Sequence, residues 1–503
     1  MGRAGGRLGG FVVERWKKGA CGRCNAGGGL TDMREKRWAT VLVLAGILLM
    51  CFGSGFSEAA NQAWRESGGS VGPDRWTIYA LPDSGGANGD SGFTLQQAER
   101  LDEKWQGEVA YAAGIPDDIP LKARFQARTG RIAGIGGAFS DFTTLRLREG
   151  RLFHQESANG NSWEIVLSDA FAEKLFGSAN AVGLEVRLLD KMFRVVGVYR
   201  SDDDLLRWTT GGALPDALVP IGALAELQPQ LRVQAIELQA AGEGDAGREQ
   251  AVRSALTESG FATSNYSLRS GVREWALNAQ LPRLIPFAAG VMAIGSCIAR
   301  MRRLIQAAIP RLRVGLEPLP AAIPEQSDRR RRVLLGMAAA FAASGAAAVM
   351  MWLLIRYPFY VPRELVPERW IDLGFYQSKL MTLWNEHPVL SQAALSPFDR
   401  TGEQLGRLIG GLSAAGLLAG LPLLRIGLRQ WRLLGLTPSA ALIRVCGGMT
   451  GAVFLTGLAS AASGIPQAMR PGLITALLGC CAIFATNIHM KRKDDEGNEE
   501  NEL

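Results

Sequence analysis

Six apolar stretches with basic flanks restrict what this chain can fold into. They are Trp38–Phe56, Leu284–Ala299, Val333–Ile355, Leu408–Leu424, Ala441–Ala462 and Pro471–Ile488. A helix needs about 20 mostly apolar residues to cross a bilayer. The stretches meet that length, except that Leu284–Ala299 is short and broken by Pro286. Positive residues stay on the cytoplasmic side. Arg34, Lys36 and Arg37 precede the first stretch, and Arg300, Arg302, Arg303 and Arg329–Arg332 separate the second from the third. Arg425, Arg429 and Arg432 follow the fourth, and Lys491–Lys493 follow the sixth. One topology satisfies all of these flanks: six spans with both termini cytoplasmic. Arg444, near the cytoplasmic end of the fifth stretch, can snorkel to the interface. Ser57-Glu58-Ala59 is a small-x-small site, so a cleaved signal peptide competes with a retained first span.

Charge separates along the same lines. Residues 57–283 hold 23 Lys+Arg against 30 Asp+Glu, while the whole chain is +7. A basic cytoplasmic side and an acidic outer domain explain this split, and a nucleic-acid-binding domain does not. No cysteine lies in 57–283, which argues against a disulfide framework. The chain divides into a cytoplasmic segment 1–37, a span 38–56, an extracytoplasmic domain 57–283 and a span 284–299. A basic cytoplasmic linker 300–332, a span 333–355, an outer loop 356–407, a three-span region 408–488 and a cytoplasmic tail 489–503 follow. Residues 1–32 read as an over-extended gene start, because Met33 opens MREKRW directly before an apolar run. Trp370, Phe375, Tyr376 and Trp384 place the outer loop near the membrane interface.

Within the outer domain, short strands alternate with helical segments, the pattern of an α+β fold. The clearest unit is Trp163–Arg200. Ile165–Leu167 is a strand, and Ser168 is positioned to cap the helix after it. Gly177 sits where a left-handed helix stop is needed. Asp190-Lys191 turns between two further β segments. Thr437-Pro438 is a second strong helix start.

No chemistry of the chain's own is visible. It has no GxxxxGK[ST], HExxH or GxSxG. His154, His387 and His489 are scattered, so no metal site is expected. Cys21 and Cys24 form a single CxxC without a second ligand pair. Asp202–Asp204 reads as a solvated turn, and Glu99–Glu103 as the exposed face of a helix.

The residues Leu147, Gly150, Arg151 and Phe153, then Ile165–Gly177, Val182–Leu188 and Phe193–Val198, resemble the MacB-like periplasmic core domain of bacterial ABC-transporter permeases. Gly427–Val445 more weakly resembles the cytoplasmic segment of FtsX-like permeases, with Leu433–Leu436 in place of its "L-x-ALG-x" core. The family pattern has one span before the outer domain and three after it, so the second and third spans and the loop 356–407 read as an insertion. The resemblance implies a permease subunit, a homo- or heterodimer in membrane lipid, that couples a separate ABC ATPase to an outer domain. It implies no enzyme activity and no cofactor in this chain, ATP being bound by the partner. It places the docking residues at Arg429, Trp431, Arg432 and Leu434. The alternative is a non-transport scaffold, or a regulator of cell-envelope enzymes, that lacks an ATPase.

Overall fold

The structure is a computed structural model. It describes residues 28–80, 92–106, 108–114, 119–124, 126–153, 162–201, 214–240, 244–261, 266–313, 324–362, 366, 374–378, 381, 396–465 and 470–488. Cys21, Cys24, Asp202–Asp204, the three histidines, Trp370, Trp384 and the tail 489–503 lie outside the described residues.

The outer domain is built on one 12-stranded mixed sheet. Its strands are β1 (Trp76–Ala80), β2 (Val109–Gly114), β3 (Ile119–Lys122), β4 (Ala127–Gly130), β5 (Ile132–Gly137), β6 (Leu147–Gly150), β7 (Glu164–Ser168), β8 (Glu185–Leu188), β9 (Lys191–Tyr199), β10 (Ala217–Pro220), β11 (Ala235–Leu238) and β12 (Tyr266–Ser270). The order is β12-β1-β11-β2-β5-β10-β7-β9-β8-β3-β4, with β6 also paired to β9. The pairs β10–β5 and β7–β9 are parallel, and the other pairs are antiparallel. Among the described residues three cores lie along it, one of them around Ile135, Phe139, Phe142 and Tyr199. A second is closed by the helices Leu95–Lys104 and Gly244–Glu258, through Leu101, Val252 and Leu256 against Ile78 and Ile236. The third is closed by Asp169–Phe176, through Phe171 and Leu175 against Ile165 and Val195.

The unit 163–200 forms as its local signals dictate. The Phe171 N–H donates to Ser168 Oγ at 3.2 Å, and Gly177 stops the helix at φ +76°. The hairpin turn falls one residue earlier than the sequence suggests, on Leu189 and Asp190 at φ +47° and +67°. Asp169, in the helix's first turn, accepts hydrogen bonds from Ser201 and from its neighbour Ala170. Burial raises its carboxyl, but these bonds and Arg148 bring it below the usual carboxylate range on balance. A group so depressed stabilises the fold above its unfolded pKa and loses that contribution as pH falls. Asp169→Asn is therefore expected to lower the melting temperature at pH 7, with the deficit shrinking toward pH 3 in a thermal-melt series. Along Leu95–Lys104, Asp102 is buried rather than exposed, because it shares the inward face with Ala98 and Leu101.

Outside this domain the chain forms long helices, numbered from here as α1 (Gly28–Cys51), α2 (Ser57–Ser67), α3 (Gly271–Arg313), α4 (Pro324–Ile355), α5 (Pro397–Ala415), α6 (Leu421–Leu433), α7 (Pro438–Ala462) and α8 (Pro471–Ile488). A π-helical turn, Phe52–Phe56, joins α1 to α2, and another, Gly416–Gly420, joins α5 to α6. Five of the six expected spans lie in helices long and apolar enough to cross a membrane. The sixth, in α8, is shorter among the described residues.

One sequence expectation is corrected, and helices reach further than expected in two other places. Pro286 does not break its helix: α3 runs through Pro282, Pro286 and Pro310. Much of the linker 300–332 is helical, in the ends of α3 and α4. The last part of the loop 356–407 is the first part of α5, started by Ser396, whose Oγ accepts from the Asp399 N–H, with Pro397 in the first turn.

α1 and the α5–α6 rod are packed backbone to backbone. A Cβ on Gly46 would stand 2.6 Å from Leu424 N, and one on Gly427 would stand 2.9 Å from Val43 N. Small residues at such crossings let helices approach where lipid supplies no hydrophobic drive. The bundle core around this seam includes Val43, Ile47, Leu424, Leu428, Val445 and Leu477.

Candidate functional site

The site is the joint where the outer domain grips the start of α5. Arg75 directly precedes β1 and Tyr79 lies four residues on, so strand periodicity puts both on one face. Both are almost completely buried. Arg75 Nη1 donates to Glu237 Oε1 at 3.0 Å, from β1 to its neighbour β11. Its Nε donates to Gly72 O at 2.8 Å and its Nη2 to Gly68 O. The guanidinium also lies 4.1 Å from the centre of the Phe398 ring in α5. Tyr79 donates its hydroxyl proton to Asp399 Oδ2, and its oxygen accepts from the Ser396 N–H at 3.1 Å. The first turn of α5 is thus held by β1 through a cation–π contact, a hydrogen bond to carboxylate and a bond to the cap residue.

α2 closes the other side. Trp64 Nε1 donates to Phe398 O at 3.1 Å, and the two rings sit 5.4 Å apart. Gly402 is needed there, because a Cβ would overlap the Trp64 ring at 2.2 Å. α3 joins below: Asn61 Nδ2 donates to Asn278 O at 3.2 Å, and Trp275 Nε1 donates to Asn61 O at 3.4 Å. Arg269 of β12 pairs with Glu274 of α3 at 2.6 Å.

The electrostatics of the joint are those of a clamp. Burial raises the Glu237 carboxyl above its ordinary range, Arg75 works against this, and Asp399 adds to it. Burial, then the Asp399 carboxylate, holds the Tyr79 hydroxyl protonated well above the usual phenol range. No group of three or more His, Cys, Asp or Glu among the described residues could hold a metal ion.

The expected docking residues lie at the other end of the α5–α6 rod, and the structure separates them. α6 ends in a tight corner in which Gly435 takes φ +70° and the Leu436 N–H donates to Trp431 O at 3.1 Å. Thr437 then caps α7. Arg429 is exposed and Arg432 half-buried. Trp431 is buried in the bundle: its Nε1 donates to Thr40 Oγ1 at 3.2 Å, and Arg444 lies over its ring at 5.8 Å. Leu434 packs against the same core. Trp431 points inward because the helix turns its apolar stripe toward α1, whereas Leu434, at the helix's C-terminal cap, is half-buried. At the corner itself Leu433 is exposed, 74% accessible, and it was not among the expected docking residues.

Sequence reading also missed Arg75, Tyr79, Phe398 and Asp399. The spacing of Arg75 and Tyr79 and the Ser396-Pro397 helix start were the available signals.

The fold and the joint define an extracytoplasmic mixed α/β domain fastened to a bundle of membrane-length helices. Residues 41–259 match the family model of the MacB-like periplasmic core domain. Among solved structures, the chain is similar to the periplasmic region of MacB from Actinobacillus actinomycetemcomitans (18% identity, TM-score 0.31, covering 41% of this chain and 91% of that one). It is also similar to the extracellular domain of the noncanonic ABC-type transporter YknZ from Gram-positive bacteria (18%, 0.31, 39% and 99%). A third is a domain of a putative permease protein from Porphyromonas gingivalis (14%, 0.28, 39% and 88%). No curated protein matches the chain.

Proposed function

We propose that this chain is the membrane subunit of an ABC-type complex, coupling a separate cytoplasmic ATPase to movement of the outer domain. The observation that carries the reading is the α5–α6 rod. Its residues Pro397–Leu433 are helical without a break, 37 residues long, or about 55 Å at 1.5 Å per residue. One end is clamped by β1, and the other forms the corner with Arg429, Arg432 and Leu433. A displacement at the corner reaches the joint through a single helix. The π-turn at Gly416–Gly420 faces the one at Phe52–Phe56, so the rod and α1 share a point of bending; such turns occur frequently at functional positions. ATP belongs to the partner, and a dimer of permeases in the cytoplasmic membrane, termini inside, completes the assembly.

Docking is carried by Arg429, Arg432 and Leu433, with the half-buried Leu434 beside them and the buried Trp431 left out. Leu433→Asp removes an exposed apolar contact without touching the bundle core. It is expected to abolish co-purification of an ATPase from native membranes while the protein still elutes as a folded species. Undiminished co-purification would refute this docking surface. The second reading, a scaffold without an ATPase, draws on the burial of Trp431. It predicts that the wild-type protein carries no ATPase at all.

A further inference from the structure

Four polar side chains at the ends of four helices gather at the outer edge of the bundle. Glu58 of α2 stands two residues past the first apolar stretch, and Arg283 of α3 directly precedes the second. Tyr357 stands two residues past the third, at the end of α4, and Arg470 directly precedes the sixth, at the start of α8. Packing sets them at one level. Gly53 of the π-turn meets Ile285 of α3, Asn61 Nδ2 donates to Asn278 O, and Gly290 lies against Ile355 of α4. The charge of Arg283 accordingly reaches both Glu58 and Tyr357. Arg470 joins through Glu58, its Nε pairing with Glu58 Oε1 at 2.9 Å.

The cluster is short of negative charge. Glu58 supplies the one carboxylate of the four side chains, and Arg470 occupies it. Arg283 is half-buried, and no carboxylate among the described residues pairs with it. The Arg470 side chain is 64% accessible, and among the described residues only its Nε is engaged. Arg356, exposed beside Tyr357, adds a further cation. A partly buried cation without a counter-ion is costly, so the cluster calls for an anion.

The wall next to Arg283 is aromatic. Phe287, one turn deeper along α3, meets Tyr357 at 6.0 Å and Phe359 at 5.2 Å between ring centres, and Phe359 is exposed. The Tyr357 hydroxyl is covered by protein and has no partner among the described residues. Rings at the ends of spans mark the headgroup level. The guanidinium groups therefore stand at the depth of lipid phosphates, with apolar rings just below them. A free anion would use the arginines alone, whereas a phospholipid uses the arginines and the rings.

We infer that Arg283 and Arg470 bind the phosphate of an outer-leaflet phospholipid whose acyl chain lies on Phe287 and Phe359. Arginine presents parallel N–H donors that match phosphate oxygens. Glu58 is a positioning residue: it holds Arg470 by Nε and leaves the two terminal nitrogens for the phosphate.

Native mass spectrometry of the full chain in detergent tests this, with phosphatidylethanolamine as the probe. Titration is expected to show one tightly retained phosphatidylethanolamine per chain. Diacylglycerol with the same acyl chains, which lacks the phosphate, is expected to bind at least about tenfold more weakly, as the loss of charge-assisted hydrogen bonds requires. Arg283→Gln and Arg470→Gln should each weaken phosphatidylethanolamine by about the same factor. Arg470 is largely exposed, so its variant is expected to fold even if Arg283→Gln does not, and size-exclusion elution checks both. Arg407→Gln is the control: Arg407 directly precedes the fourth stretch at the same outer boundary, but it already pairs with Glu403, so retention should match wild type. Equal retention of diacylglycerol, displacement of the lipid by inorganic phosphate, retention indifferent to both arginine changes, or an equal loss in Arg407→Gln would overturn the proposal.

Discussion

Replacing Arg75 with methionine is expected to destabilise the protein by about 3–5 kcal/mol at neutral pH, the usual cost of removing one partner from a buried ion pair. Methionine keeps much of the side-chain volume but loses the cation–π contact with Phe398. The cost comes from what is left behind: Glu237, almost completely buried, loses its charged partner, the Gly72 carbonyl loses the Arg75 donor, and the Gly68 carbonyl keeps only the Gly72 N–H. The pH dependence follows from the sign of the shift. Burial already raises the Glu237 carboxyl, and Arg75 is the group that opposes the rise. Without Arg75 the folded-state pKa climbs further. A carboxyl with a raised folded pKa favours folding while it is protonated, and costs stability as pH rises above the unfolded value near about 4.3. The variant's deficit should therefore grow from pH 5 to pH 8. Thermal melts of wild type and Arg75→Met across that range measure it, and a deficit that is flat or falls with pH would show that Glu237 is not the orphaned group.

The second large effect is at the helix seam. Gly46→Leu and Gly427→Leu are each expected to abolish recovery of folded protein. Their Cβ atoms would fall 2.6 Å and 2.9 Å from backbone atoms of the opposing helix, and backbone in a packed helix cannot move aside as a side chain can. Gly447→Leu is the control: it lies in α7, its Cβ would meet nothing within 4 Å, and it should be recovered at wild-type yield. Monodisperse yield after size exclusion in mild detergent decides the case. Equal yields for Gly46→Leu and Gly447→Leu would mean that α1 and α6 are not in backbone contact.

What could be read from the chain alone depended on distance along it. The unit 163–200 was legible because its signals are local: a serine cap, a glycine stop three turns at most from it, and alternation inside nine residues of β9. The membrane-length helices were legible because apolar runs and flanking charge need no partner to be recognised. The joint was not, because Tyr79 and Asp399 are 320 residues apart. Alone, one is a strand tyrosine and the other an aspartate in a helix's first turn, and both are ordinary there. The helix start at Thr437-Pro438 was placed correctly in sequence, but a basic amphipathic stretch does not say which apolar residue faces inward. Trp431 looked like an exposed anchor and is a core residue, whereas the neighbouring Leu433 is the exposed one. The stagger of α4 was likewise hidden. Its apolar run reads as a simple span, and only the contacts of Gly290 and Gly345 show where it sits against α3.

The joint, the rod and the corner together make one claim: nucleotide events below are felt in the sheet above. Hydrogen–deuterium exchange on the wild-type complex, purified with its ATPase and compared with and without nucleotide, reads this directly. The coupling predicts changed uptake in the corner 427–445, and with it in β1 (76–80), β11 (235–238) and the first turn of α5. Changes confined to the ATPase and the corner, with β1 and the α5 start unaltered, would contradict it.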